Sequence, residues 1–229
     1  MTNHYSPPLT ANTIDARIAQ SDHGFTEHAA SLVKDYLGLQ HIAPVRGTSV
    51  PDELAMMLDC DAGIDFWARQ ANGTIIGIAT RTLFQTAVFG SFTMRLWKRG
   101  AHTCELAKRA LEILDPRARC LGPTYTVFTT IEPRDQRRCL SVSLAETRSL
   151  VMAAINPVHA RSWTVVEGNR DHGPFLNLWH RGLRAAGVTI INLKPPCSRV
   201  INSITTTETI ELQFPPYNIR TPVPLRRAA

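Results

Sequence analysis

The chain has no apolar run approaching the ~20 residues that a membrane-spanning helix needs. Its opening, MTNHYSPPLTANTIDARIAQ, has no basic stretch followed by an apolar one, so it does not read as a secretory signal. Cysteine is sparse. Cys60, Cys104, Cys120, Cys139 and Cys197 form no CxxC pair. An odd, scattered set points to reduced thiols in a cytoplasmic protein, not to a disulfide frame or a zinc knuckle. The phosphate-cradling pattern GxxxxGK[ST] is missing, which excludes a P-loop NTPase, and GxSxG is missing too. Histidine never occurs as HxH or HExxH: His23 and His28 are five apart, and His159, His172 and His180 are scattered. That excludes the usual zinc hydrolase and deaminase patterns.

What is present is a globular composition with an excess of bases. Hydrophobic residues make up 44% of the 229 and aromatics 7%, enough for a substantial core. The net charge is +6, which favours a polyanionic partner. Arg95, Lys98, Arg99, Lys108 and Arg109 form one basic cluster; Arg134, Arg137 and Arg138 form a second. Such clusters suit phosphate contact, the main source of nonspecific affinity for nucleic acid.

Residues 1–20 are polar and carry Pro7-Pro8, which predicts an extended arm or a short cap. Phe25, Ala29, Leu32, Val33, Tyr36 and Leu37 recur at helical spacing and predict a helix over 25–39. Pro44, Gly47 and Pro51 mark 40–52 as loop, with a helical turn over 53–58. Strands are predicted over 64–69, 74–84 and 91–98, the first two joined at the hairpin signal Asn72-Gly73. A helix over 104–114 stops before Pro116. Strands over 125–131 and 140–144 flank the basic turn EPRDQRRC, and a helix over 146–155 follows. Beyond that, the pattern predicts strands over 163–166, 188–193 and 207–214 and an amphipathic helix over 175–186. The expected fold is α/β (α+β): a central mixed sheet flanked by helices. The expected organisation is an arm over 1–20, a core over 21–157, and an extension over 158–229 packed on that core.

This order of helix, three strands, helix and strand resembles the PD-(D/E)XK nuclease superfamily, over residues 25–144. In that family an aspartate on the second core strand binds a divalent metal. An acid and a lysine spaced (D/E)xK on the third strand complete the site, and a helix before the sheet often adds a glutamate. Gly63-Ile64-Asp65 matches the aspartate position. Ala79-Thr80-Arg81 falls where acid-x-lysine belongs. Ala79 cannot bind a metal, and Arg81 stays protonated where a lysine would move a proton. A magnesium ion wants several oxygen ligands in near-octahedral geometry. The resemblance therefore needs a second acid: Glu105 on the helix after the sheet, with Asp59, Asp61 and Glu27 in reserve.

The resemblance implies a nucleic-acid-binding protein with a nuclease-like core. Asp65 and Glu105 would hold Mg2+, Arg81 would steady a phosphate, and Arg95, Lys98, Arg99, Lys108, Arg109, Arg137 and Arg138 would contact the backbone. A reading from another class stands beside it. Asp65 and Arg81 form a structural ion pair in a non-catalytic module that binds nucleic acid or a nucleic-acid-handling complex, as a phage or plasmid accessory protein inhibiting a host defence would. Smaller signals also point toward ligands. Gln85 extends along the Arg81 strand. Alternation turns Trp97 outward between Arg95 and Arg99, and Trp67, Trp163 and Trp179 are candidates for base stacking. The polar loop over 168–173 is bounded by Gly168 and Gly173.

Overall fold

A computed structural model describes residues 14–46, 51–96, 105–114, 122–159, 163–166, 174–194 and 200–201. The expected α/β class is the observed one. Six strands form a mixed sheet in the order β1 (Leu39–Pro44), β2 (Phe66–Gln70), β3 (Ile75–Phe84), β6 (Pro123–Ile131), β7 (Cys139–Glu146) and β10 (Ile190–Lys194). Every neighbouring pair is antiparallel except β3 and β6, which run parallel. A parallel pair needs a long crossover. Here it contains β4 (Val88–Phe89), β5 (Ser91–Arg95) and α4 (Glu105–Leu114).

Two helices, α1 (Ile14–His28) and α2 (Ala30–Leu37), cover one face of the sheet. Their Phe25, Ala29 and Val33 pack on Phe66, Ile78, Val127 and Val142. The other face carries a second core. Leu106 of α4 and Leu150 and Val151 of α5 (Thr147–Ile155) meet Phe128 there. A three-stranded sheet of β5, β9 (Phe175–Trp179) and β8 (Thr164–Val166) closes this side with Phe92, Leu176 and Leu178.

The structure departs from the sequence expectations in five places. The arm over 1–20 ends inside a helix, because α1 begins at Ile14. The helix over 25–39 stops at Gly38, whose left-handed φ of 62° turns the chain into β1. The predicted loop over 40–52 therefore opens as an edge strand, where Pro44 is tolerated because an outer edge needs no donor. The strand at 91–95 forms, but in the small sheet rather than the central one. Finally, Phe175–Trp179 is a strand, not the first turns of a helix. It is paired on both sides by β5 and β8, and this pairing overrides its helical spacing. The helix α6 (His180–Ala185) starts only afterwards.

The stretch beyond 158 supplies β8, β9, the edge strand β10, α6 and β11 (Val200–Ile201), which pairs with β4. The expected strand over 207–214 lies outside the described residues. The Asn72-Gly73 hairpin forms as expected: the Asn72 side chain accepts from Thr74 N–H at 2.9 Å, and Gly73 has φ 83°.

One contact sets how closely α1 seats on the sheet. A Cβ at Gly24 would lie 2.7 Å from Thr82 Cγ2 and 2.9 Å from Ile131 Cδ1. Thr82 is β-branched and stiff, so it cannot swing away. We expect Gly24→Ala to destabilise the fold by about 1–3 kcal/mol through overpacking, read as a lower urea midpoint with an unchanged slope.

Candidate functional site

β3 is longer than the strand beside it. β2 pairs only with Ile75–Ile78, so the rest of β3 has lost its neighbour on that side. An exposed or buried strand edge must find other partners for its N–H groups. Asp65, just before β2, supplies the first. Its own N–H donates to Ile78 O at 3.0 Å, and its Oδ2 accepts from Thr80 N–H at 2.6 Å. The Thr80 hydroxyl lies 3.4 Å from the same oxygen. Two residues on, α1 takes over. Thr82 N–H donates to Ser21 Oγ at 3.3 Å, and the Thr82 hydroxyl donates to Ser21 O at 2.8 Å.

This handover gathers charge. Asp22 of α1 follows Ser21. Arg46, just after β1, pairs with Asp59 on the π-helical turn Met57–Asp61. Asp65 and Arg81 complete a group of three carboxylates and two guanidiniums. Burial pushes the Asp65 carboxyl up from 3.8 to about 7. The Thr80 N–H opposes that rise, the charges of Asp59 and Asp22 add to it, and Arg81 opposes it least. Burial likewise raises Asp22 to about 6, helped by Asp59 and opposed by Arg46.

The expected Asp65–Arg81 partnership is thus a minor part of the observed arrangement. The close partner of Asp65 is the backbone of Thr80. Alternation turns Ala79 and Arg81 away from Thr80 and Thr82, and Arg81 stands across from Phe128 of β6.

The donor set does not fit magnesium as it stands. The Asp65 Oδ2 is engaged by Thr80, Asp59 is engaged by Arg46, and Ala79 brings no oxygen. Among the described residues no three of His, Cys, Asp and Glu are arranged to hold a metal ion. Glu105 opens α4, and its side chain lies outside the described residues, as does that of Asp61. Glu27 is exposed on α1. The helix contributes Asp22 instead; Gly24 two residues on, needed for close seating, is the signal that marks this stretch of α1.

The basic residues divide. Arg109 is buried, with 7% of its surface exposed. Its guanidinium donates to Ala62 O at 2.6 Å, Gly63 O at 3.3 Å and Glu112 at 3.3 Å. It therefore fastens the turn that leads into Asp65. Gly63 has φ 59°, and a Cβ there would collide with the Arg109 guanidinium. Lys108 is half-buried on α4, and Arg95 is half-buried at the end of β5. Lys98, Arg99, Trp97 and the loop over 168–173 lie outside the described residues.

Arg134, Arg137 and Arg138 are exposed on the β6–β7 hairpin. Asp135 shapes that turn by accepting from the Arg137 and Arg138 N–H groups. His28 of α1 holds the hairpin by donating from Nε2 to Gln136 O at 2.7 Å. Trp163 and Trp179 are buried: their ring N–H groups donate to Ala153 O and the Thr164 hydroxyl. Gln85 is half-buried, and its amide nitrogen is buried without a hydrogen-bond partner. His180 is stacked on Phe92 with centroids 5.1 Å apart, and burial lowers it to about 4.

Comparison of the chain with families of related proteins, with curated proteins and with solved structures finds no match.

The raised carboxyls set a pH dependence with a definite sign. The folded state holds protons that the unfolded chain releases near its ordinary carboxyl pKa of 3.8. Stability from Asp65 and Asp22 is therefore fullest below that value, falls as pH rises toward about 7, and is level above. We expect Asp65→Asn to flatten this decline, because an amide oxygen still accepts from Thr80 N–H without charge. Asp65→Ala leaves that N–H unpaired and should cost about 1–3 kcal/mol at low pH. Denaturant titrations across the range check both; a steeper decline in Asp65→Asn would contradict the assigned cause. Arg109→Met should cost about 3–5 kcal/mol, because it strands Glu112 and two carbonyls in the interior.

Proposed function

We propose that this chain is a nucleic-acid-binding protein built on a nuclease-like core, and that it acts by binding rather than by cleavage. The observation that carries the reading is the arginine trio on the β6–β7 hairpin. Arg134, Arg137 and Arg138 are exposed, and among the described residues no carboxylate pairs with them. Guanidiniums with free forks facing water suit the oxygens of a phosphate backbone. A net charge of +6 adds a general attraction to polyanions.

Two further features support the core assignment and the absence of cleavage. With the short α3 (Asp52–Met56) and the π-helical turn set between β1 and β2, and β4 and β5 between β3 and α4, the order α1–α2, β1, β2, β3, α4, β6 gives helix, three antiparallel strands, helix and parallel strand. The strand triplet differs from the one expected: β1 replaces the strand at 91–95. At the position matching the family's metal-binding aspartate, Asp65 caps β3 instead. A protein that keeps such a core without its ligand set works as a binding module for nucleic acid or for a complex that handles it.

The proximity of Asp22, Asp59 and Asp65 favours a second reading. The charge of Asp59 helps to raise Asp22 and Asp65, and a divalent cation would relieve that repulsion. That reading would require the cation to displace the Thr80 N–H from Asp65 and Arg46 from Asp59, because those donors are otherwise engaged.

Fluorescence anisotropy with labelled oligonucleotides separates the readings. We expect micromolar or tighter affinity at low salt, falling steeply as salt rises. Arg137→Glu with Arg138→Glu should weaken binding and lower the duplex log–log salt slope by about 1.8. Absence of binding at low salt would remove nucleic acid from the account. Magnesium-dependent cleavage lost in Asp65→Asn would establish the second reading instead.

A further inference from the structure

On the face of the central sheet opposite α1 and α2, the end where β2 turns into β3 carries exposed side chains. Phe66, Ala68, Ile76 and Ile78 point into the core beneath α1. Their alternates on the same strands point the other way. His41, Arg69 and Ile75 stand in one row across β1, β2 and β3, because His41 pairs with Arg69 and Arg69 with Ile75. Trp67 occupies the next row. His41 and Arg69 are exposed, and Ile75 is 68% exposed, an unusual position for a large apolar side chain on a central strand.

Trp67 packs against the small cluster of Val45, Ala55 and Ile64. It also meets His41, with ring centroids 5.0 Å apart and planes tilted by 52°. The tilt keeps the two rings from covering each other fully. A braced indole, an imidazole, an isoleucine and a guanidinium therefore share one solvent-facing surface.

We propose that this surface is a stacking platform for unpaired nucleobases, with Arg69 taking the adjoining phosphate. The inference rests on the nucleic-acid reading above and deepens it by naming the substrate class as single-stranded. Three observations select that occupant. The surface combines flat π systems with a cation, which is the composition that binds single strands without sequence preference. Its strands carry charge of one sign: residues 39–44 and 66–77 contain no Asp or Glu. And a duplex keeps its bases stacked inside, so rings on a sheet reach only bases that are already unpaired.

The platform also lies apart from the arginine hairpin. β3 runs from Ile75 at the platform to Phe84, which pairs with Ile131 at the foot of the hairpin. Ten residues of strand separate the two ends by roughly 30 Å. The two surfaces can therefore be varied independently.

The test uses the full chain, labelled oligothymidine and a labelled duplex of equal length. His41→Ala and Trp67→Ala should each weaken oligothymidine binding roughly five- to hundredfold, the effect of losing one base stack, and leave duplex affinity within about twofold. Trp67→Phe should retain most of the affinity, since a phenyl ring still stacks; that separates stacking from the bracing role of Trp67. Arg69→Gln should lower the single-strand salt slope by about 0.7. His41 and Arg69 are exposed, so their variants stay folded even if Trp67→Ala does not.

Unchanged oligothymidine affinity in the His41→Ala, Arg69→Gln double variant overturns the platform. If Arg137→Glu with Arg138→Glu still weakens binding in that case, the proposed function stands without it. If the wild-type chain binds neither oligonucleotide, both fall together. If the double variant instead abolishes self-association seen by sedimentation, the face is an interface between copies, and the platform is again overturned.

Discussion

A strand that outruns its neighbour must have its edge satisfied from elsewhere, and the organisation of this protein's charged centre follows from that requirement. Past Ile78, β3 presents N–H groups with no strand beside them. Asp65 answers Thr80, and Ser21 answers Thr82. Because one answer comes from the approach to β2 and the other from α1, the solution binds three elements at a single seam. It also fixes the neighbours of those residues. Asp22 is next to Ser21 along the helix, and Asp59 lies on the turn that precedes Asp65. The carboxylates meet because the backbone needed acceptors there.

That origin explains why the centre is electrostatically uncomfortable. A backbone N–H is a weaker stabiliser of a carboxylate than a full cation, and burial removes the water that would otherwise help. Arg46 is engaged with Asp59, and Arg81 acts on Asp65 only weakly. The centre therefore retains protons into the neutral range. A metal-binding aspartate needs an oxygen left free for an ion, whereas a capping aspartate directs one at an amide. Asp65 serves the second purpose here.

Much of this was legible in the sequence, and the unread parts share a cause. Local signals were read well: the Asn72-Gly73 turn, the run of Ile75, Ile76 and Ile78, the helix before Pro116 and the strands around the arginine turn all depend on neighbours within a few residues. Asp65 stood out because an acid heading an apolar strand is rare. What escaped was decided by partners far along the chain. Residues 39–44 become a strand because β2 is there to pair with them, and Phe175–Trp179 because β5 and β8 flank it. Arg109 looked like a surface base because its spacing from other bases was visible. The carbonyls of Ala62 and Gly63 that draw it inward were not. Nor could periodicity show that α1 would bring Asp22, and not Glu27, against the seam.

The Arg109 latch has a consequence for how the molecule is assembled during synthesis. The chain leaves the ribosome from its N-terminus, so α1, β1, β2 and β3 emerge before α4 does. Yet the turn at Ala62–Gly63 is held by a side chain 47 residues downstream, and its left-handed glycine leaves it loose until then. β3 also waits for its parallel partner β6, which follows α4. A nascent chain halted between β3 and α4 would thus carry Asp65 on an unfastened turn and a half-paired strand beside it. Such an intermediate exposes a pairing edge to other chains. Maturation of the charged centre is therefore a late event, completed when the crossover closes rather than when its own residues have been made.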